Sequence, residues 1–174
     1  HPVAMSARGR SPADLAVLLN FWKRLRAIRP AAFLGFTAKP NIYGSMAAGF
    51  CGIPVINNVS GLGAAFMRPG ALRQLVERLY RIAFRRSATV FFQNSDDLDL
   101  FVERGIVSPK QAALLPGSGV DLAHFTPAAT RPPAGRPTFL LAAWLLWDKG
   151  DGKLVEAAWR LRSVWPDARF QILG

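Results

Sequence analysis

Two rhythms of apolar and polar positions alternate along the chain, one of helical spacing and one of short continuous apolar runs. Ser11-Pro12-Ala13-Asp14 reads as a helix start, with serine at the cap, proline at the first helical position and a carboxylate in the first turn. Leu15, Leu18, Leu19, Trp22 and Leu25 then recur at helical spacing and predict a core-facing stripe. Arg29-Pro30 stops the run, since the residue before a proline is pushed towards extended backbone. An apolar strand follows over 32–36, a small-residue helix over about 41–50, a second strand over 55–59 and a turn at Gly61-Leu62-Gly63. A long helix is predicted over 71–86, with Leu72, Leu75, Val76, Leu79 and Ile82 as its apolar stripe. The run 88–92 is continuously apolar, as in a strand buried on both faces. Ser95 is the expected cap of an acidic helix through Arg104, and 112–115 forms a short fourth strand. Strands alternating with helices predict an α/β fold, a parallel sheet with helices on both faces.

The texture changes after Asp121. Residues 126–137 carry Pro127, Pro132, Pro133 and Pro137 with no apolar period, which reads as an inter-domain linker. Beyond it lie a strand over 138–143, a turn at Asp148-Lys149-Gly150, a helix over about 151–164 and a strand over 170–173. The expected division is therefore a first domain over 1–125, a linker over 126–137 and the start of a second domain over 138–174. A single strand-helix-strand unit cannot bury its own faces, and the first domain opens on a helix with no preceding strand, so both are expected to be incomplete.

Composition narrows the class. The single cysteine, Cys51, excludes an internal disulfide framework and a cysteine-rich zinc site, and reads as a small buried residue. No basic start followed by an apolar run marks a signal peptide, and no apolar stretch reaches the roughly eighteen residues of a spanning helix, so the expectation is a cytoplasmic protein. The net charge of +11 is unevenly placed: residues 1–86 hold thirteen Lys or Arg against Asp14 and Glu77, whereas residues 87–174 hold nine of each sign. A basic half suits nucleic acid, anionic headgroups or phosphorylated small molecules. Nucleic acid is the least favoured, because no aromatic-basic interleaving or reading motif accompanies the charge.

Candidate chemistry clusters after the strands. In open α/β sheets ligands bind beyond the carboxyl ends of the strands, and Thr37, Lys39 and Asn41 follow the first strand directly. There Lys39 either adds a cation to a helix start suited to an anion or is a solvated loop lysine. Gly61 and Gly63 follow the second strand and permit either close approach of a ligand or a tight turn. Gly117-Ser118-Gly119 follows the fourth strand with the same two readings. Asp121 reads as a turn cap, His124 as a loop residue packing near Phe125, and Asp96, Asp97 and Asp99 as first-turn carboxylates facing a helix dipole. None of these forms a metal-binding cluster. On the helix over 71–86, Arg73, Arg78, Arg81 and Arg85 form either a solvated basic face or a membrane-surface face.

The ordered series Thr37-Ala38-Lys39-Pro40-Asn41-Ile42-Tyr43-Gly44-Ser45, Ser60-Gly61-Leu62-Gly63, Phe91-Phe92-Gln93-Asn94-Ser95-Asp96-Asp97, Pro116-Gly117-Ser118-Gly119-Val120-Asp121 and Leu145-Leu146-Trp147-Asp148-Lys149-Gly150 resembles bacterial glycosyltransferase family 4 enzymes of polysaccharide and O-antigen assembly. The resemblance implies a GT-B architecture: a Rossmann-like acceptor-side domain, then a Rossmann-like nucleotide-sugar-binding domain of which only the first β-α-β unit is present. It implies retaining, metal-independent transfer of a hexose or N-acetylhexosamine from a nucleotide-sugar to a lipid-linked glycan at the inner face of the membrane, with no cofactor. By the same resemblance Thr37, Lys39, Asn41, Tyr43, Gly61 and Gly63 face the acceptor, and Gly117, Gly119, Lys149 and Gly150 face the donor. The sequence departs from the family pattern at two positions: Trp144 stands where the family has a phosphate-binding arginine, and Asp151 where it has an apolar residue. A decayed, non-catalytic copy is the alternative these departures support.

Overall fold

The computed structural model of the 174-residue chain describes residues 13–63, 66, 70–127, 136–143 and 150–174. Helix α1 (Ala13–Ile28) leads into strand β1 (Phe33–Phe36). A π-helical turn (Pro40–Gly44) then runs into the short helix α2 (Ser45–Phe50), where a single small-residue helix was expected. Strand β2 (Val55–Val59), helix α3 (Ala71–Phe84), strand β3 (Ser87–Phe92), helix α4 (Ser95–Glu103) and strand β4 (Ala112–Leu114) complete the first unit. Strand β5 (Thr138–Ala142), helix α5 (Asp151–Leu161) and strand β6 (Arg169–Leu173) belong to the second. The chain divides into His1–Gly119 and Val120–Gly174, and most of the expected linker, 128–135, lies outside the described residues.

The first unit is a parallel sheet in the order β1-β2-β3-β4. Its register aligns Phe33 with Val55, Gly35 with Asn57, and Asn57 with Val90, so alternate residues of neighbouring strands share a face. On that face α1 meets β1 through an edge-on contact of Phe21 with Phe33, ring centroids 5.9 Å apart. Phe101 of α4 is wholly buried there, against Phe66, Tyr80 and Phe92 at 5.6, 5.4 and 5.2 Å. Leu34 and Phe36 on the other face are 58% and 55% exposed. Among the described residues the helical packing lies on one side of the sheet. Strands that neighbour one another in chain order, joined by crossovers of the usual right hand, place their helices on a single face. Thr89 and Phe91, on the other face of β3, are half-buried, and Ala88 is exposed at the register shift between β2 and β3.

Two helical stripes also differ from expectation. In α1 the buried residues are Val17 and Leu25, whereas Leu15 and Leu19 are exposed. In α3 the buried face is Glu77, Tyr80, Ala83 and Phe84, and Leu72, Leu75 and Ile82 face outward. Glu77 can turn inward because Arg73 and Arg104 pair with its carboxylate at 2.9 and 3.5 Å. The α4 cap is Asn94, not Ser95: its side-chain oxygen accepts from the Asp97 backbone N–H at 2.8 Å. Cys51 is only partly buried.

In the second unit β5 and β6 pair in parallel, and Phe139 stacks on Phe170 at 5.1 Å. Helix α5 has no buried residue, and Trp159 is 72% exposed.

Candidate functional site

Because the four strands of the first unit are parallel, the segments that follow them emerge along one edge of the sheet. Thr37–Tyr43 follows β1, Ser60–Gly63 follows β2, Gln93–Asn94 follows β3 and Leu115–Gly119 follows β4. Segments far apart in sequence are thus brought to the edge where such sheets bind ligands. The last two are tied by a hydrogen bond from Gln93 Nε2 to Ser118 Oγ at 3.4 Å.

Thr37 turns the chain out of β1 with φ at +63°, a left-handed conformation that a β-branched residue rarely adopts. Its carbonyl accepts from the Asn41 backbone N–H at 3.0 Å, which closes the turn over Lys39 and Pro40. The Lys39 ammonium donates to Asp14 Oδ1 of α1 at 2.8 Å, both side chains about one-fifth exposed. Burial raises the pKa of Tyr43, and the charge of Asp14 and a hydrogen bond to its carboxylate raise it further. Lysine, carboxylate and phenol therefore form one cluster beyond β1. Its cation is met by Asp14, so the site is a balanced hydrogen-bonding cluster rather than a bare positive charge. The helix behind it is only six residues long, which removes the helix-start argument for an anion. Asp14 reads from sequence as a first-turn helix carboxylate; its partnership with Lys39, 25 residues away, has no sequence signal.

Asn41 faces inward and is 1% exposed, an internal strut where the resemblance implies an acceptor contact. Its Nδ2 donates to the Asn58 carbonyl at 2.9 Å, and its Oδ1 accepts from Asn57 Nδ2 at 3.0 Å. Asn57 also donates to Ser45 Oγ at 2.8 Å and accepts from Ser87 Oγ at 2.7 Å. This buried network fixes the end of the Lys39 turn, at Asn41, to β2 and β3. It needs a glycine beside it: a Cβ on Gly35 would lie 2.6 Å from both Asn41 Oδ1 and Asn57 Nδ2. Asn58 Oδ1 is buried and has no hydrogen-bond partner among the described residues.

Gly61 and Gly63 have φ of +152° and +67°, and Gly117 and Gly119 of +74° and +75°; a Cβ at any of the four would meet nothing within 4 Å. These glycines are required by backbone conformation, the turn reading of both segments. Asp121 Oδ1 accepts from the backbone N–H of Ala123 at 2.9 Å and of His124 at 3.3 Å, and the His124 ring stands edge-on to Phe125 at 4.8 Å. Gly150 is left-handed at the start of α5. Lys149 and Trp144 lie outside the described residues. Among the described residues no three His, Cys, Asp or Glu side chains converge on a point where a metal could be held.

The four arginines read as a basic face divide into two pairs. Arg73 is bound to Glu77 and lies over the Phe66 ring at 5.8 Å, while Arg81 donates to the carbonyls of Gly105 and Arg104 at 3.0 and 2.9 Å. Arg78 and Arg85 are exposed. No helix among the described residues is long and apolar enough to cross a membrane.

Comparison with known structures agrees with this architecture. The chain superposes on the S. aureus MnaA-UDP co-structure with a TM-score of 0.59 at 14% identity, over 95% of this chain and 46% of that one. It superposes on a UDP-N-acetylglucosamine 2-epimerase with a TM-score of 0.58 at 15% identity, over 97% and 46%. The A. baumannii MurG structure gives a TM-score of 0.49 at 14% identity, over 99% and 50%. The chain thus spans about half the length of these structures, and the first two share its fold. No curated protein sequence matches the chain. The family model described as a glycosyl transferase 4-like domain matches residues 1–117, the whole sheet with its edge segments, and the chain belongs to that family.

Proposed function

We propose that the chain supplies the acceptor side, and the first part of the donor side, of a retaining, metal-independent glycosyltransferase. It moves a hexose or N-acetylhexosamine from a nucleotide-sugar, a UDP-sugar by preference, to a lipid-linked glycan in surface polysaccharide assembly. The observation that carries this reading is the convergence of the Thr37–Tyr43, Ser60–Gly63 and Leu115–Gly119 segments on one edge of the sheet, the first two wholly inside residues 1–117 that match the family. Lys39, Asp14 and Tyr43 offer a donor, an acceptor and a phenol to sugar hydroxyls. Gly117, Gly119, Lys149 and Gly150 contribute backbone amides and one cation to the donor, where a leaving diphosphate needs stabilisation. The acceptor's lipid keeps the protein at the inner membrane surface as a peripheral protein.

The test is transfer of labelled sugar from a panel of UDP-hexoses and UDP-N-acetylhexosamines to a polyprenyl-diphosphate-linked glycan by the intact protein, with and without EDTA. Acceptor-dependent transfer that EDTA leaves unchanged is expected. Loss of transfer in EDTA overturns metal independence, and no transfer from any donor favours the second reading, a non-catalytic copy. Trp144 in place of an arginine is the specific observation behind that second reading. The short donor-side unit, with no buried residue in α5, leads us to expect that the 174-residue chain alone binds UDP more weakly than micromolar. Micromolar or tighter binding by calorimetry contradicts that expectation.

A further inference from the structure

Asp14 and Tyr43 change what Lys39 can recognise. The first turn of α1 brings Asp14 to the end of β1, 25 residues away from Lys39 in the chain, and its Oδ1 accepts from the Lys39 ammonium at 2.8 Å. Among the described residues the ammonium has no other partner, which leaves two of its three protons to a ligand. The Tyr43 phenol gives its proton to the same carboxylate, so its oxygen remains as an acceptor. The side chains of Lys39 and Asp14 are each 21% exposed, open enough for contact with a small ligand yet weakly screened by solvent. The turn is also firmly placed, because the Asn41 side chain at its end is held by Asn57 and Asn58. A diphosphate ester, ionised at neutral pH, fits this arrangement poorly: it brings no proton for the Tyr43 oxygen and is repelled by the carboxylate beside the ammonium. A pair of neighbouring hydroxyls fits it well. One accepts from Lys39 and the other donates to Tyr43, and a neutral ligand meets a cluster whose charges already cancel.

We propose that Asp14 is a specificity-determining residue of this cluster: by cancelling the Lys39 charge it sets the turn to take neighbouring hydroxyls of a pyranose, the sugar end of the acceptor, and to refuse the diphosphate end. The proposal rests on the reading that the acceptor meets this edge of the sheet, and it gives the acceptor a direction. Its sugar lies against the turn beyond β1, and its diphosphate lies away from Lys39. A donor sugar carries hydroxyls of the same kind, so the experiment separates the two sources.

The experiment titrates the intact, isotope-labelled protein with methyl pyranosides of glucose, galactose, mannose and N-acetylglucosamine, with 2-methoxytetrahydropyran as the same ring without hydroxyls, with inorganic pyrophosphate and with UDP-N-acetylglucosamine. Backbone amides within Thr37–Tyr43 are the readout, because pyrophosphate also meets arginines elsewhere on a chain of net charge +11. At least one glycoside should shift these amides saturably in the millimolar range, while 2-methoxytetrahydropyran and pyrophosphate leave them in place. Asp14→Asn keeps the shape and removes the charge, so the preference should reverse: pyrophosphate affinity at the turn rises roughly tenfold or more and glycoside affinity falls severalfold. A carboxylate that only held α1 in place would not produce that reversal. Tyr43→Phe should weaken the glycoside severalfold with pyrophosphate still excluded, a result that does not depend on how well the Asp14 variant folds. No sugar transfer enters these titrations. A protein that transfers sugar without glycoside shifts at the turn fails this proposal alone, and one that binds glycosides here yet transfers nothing fails the reading above alone. Pyrophosphate binding at the wild-type turn, glycoside affinity unchanged in Asp14→Asn and Tyr43→Phe, shifts from UDP-N-acetylglucosamine at lower concentration than from any glycoside, or no glycoside shift up to about 100 mM each overturns the proposal.

Discussion

At the scale of single residues, two features of the Lys39 turn lead to measurable consequences. Thr37 holds its left-handed φ of +63° at a cost of order 1–2 kcal/mol, which asparagine largely escapes. Thr37→Asn should therefore stabilise the protein by about 1 kcal/mol and raise its thermal midpoint by a few degrees. An unchanged or lowered midpoint would mean that the turn is not strained. Asn57 satisfies three buried partners, Asn41, Ser45 and Ser87, so Asn57→Ala leaves several polar groups unpaired and should cost about 3 kcal/mol in urea unfolding. Gly35→Ala presses on the same two amides, and its effect should add to that of Asn57→Ala by much less than the sum. The sequence shows the position of the turn, because Thr37-Ala38-Lys39-Pro40-Asn41 interrupts apolar runs at a strand end. It does not show the network behind it. Asn57 sits inside the run VINNV, and its partners lie 12, 16 and 30 residues away.

Elements were more legible than the faces they bury. Strand and helix spans follow directly from the apolar runs and helical periods, yet only part of the apolar stripe of α3 is its buried face: Val76 and Leu79 pack against the core, while Leu72, Leu75 and Ile82 face outward. Leucines at 72 and 75 look like core residues, and Glu77 looks like solvent; the pairing of Glu77 with Arg73 and Arg104, the latter 27 residues away, reverses both. Rotating the stripe inward at Tyr80 has a consequence for pH. Desolvation pushes the Tyr80 phenol up to about 12 inside the aromatic cluster of Phe66, Phe84 and Phe101. Its contribution is fully present below the unfolded value near 10, and about 2–3 kcal/mol is lost as pH rises from there through the folded value. Chemical denaturation between pH 9 and about 12 should show that loss in the native chain and a flatter profile in Tyr80→Phe. Parallel profiles would place the phenol in water.

At the scale of the whole molecule, the two units differ in how much they bury. Val55, Val59, Val90 and Phe92 of the first sheet are at most 2% exposed, whereas in the second unit Leu140 and Leu173 are 61% and 65% exposed. Amide hydrogen exchange should protect β2 and β3 about 100-fold or more over β5 and β6, because local opening is easiest where few apolar contacts hold a strand. Comparable protection of both sheets would contradict the description of the second unit as thinly packed. The family itself was legible from short strings in a fixed order, three of which lie wholly inside residues 1–117 that match its model. What remained invisible was the ionic partner of Lys39, which depends on α1 folding back over the turn. The central claim is that the edge segments beyond β1 and β2 receive the acceptor. It is tested most directly by titrating a short-chain polyprenyl-diphosphate-linked sugar into the isotope-labelled chain and following its backbone amide resonances. The account predicts shifts concentrated at Thr37–Tyr43, Gly61 and Gly63, reduced in Lys39→Ala with the fold unchanged; saturable binding with shifts confined to other surfaces, or no binding at all, would contradict it.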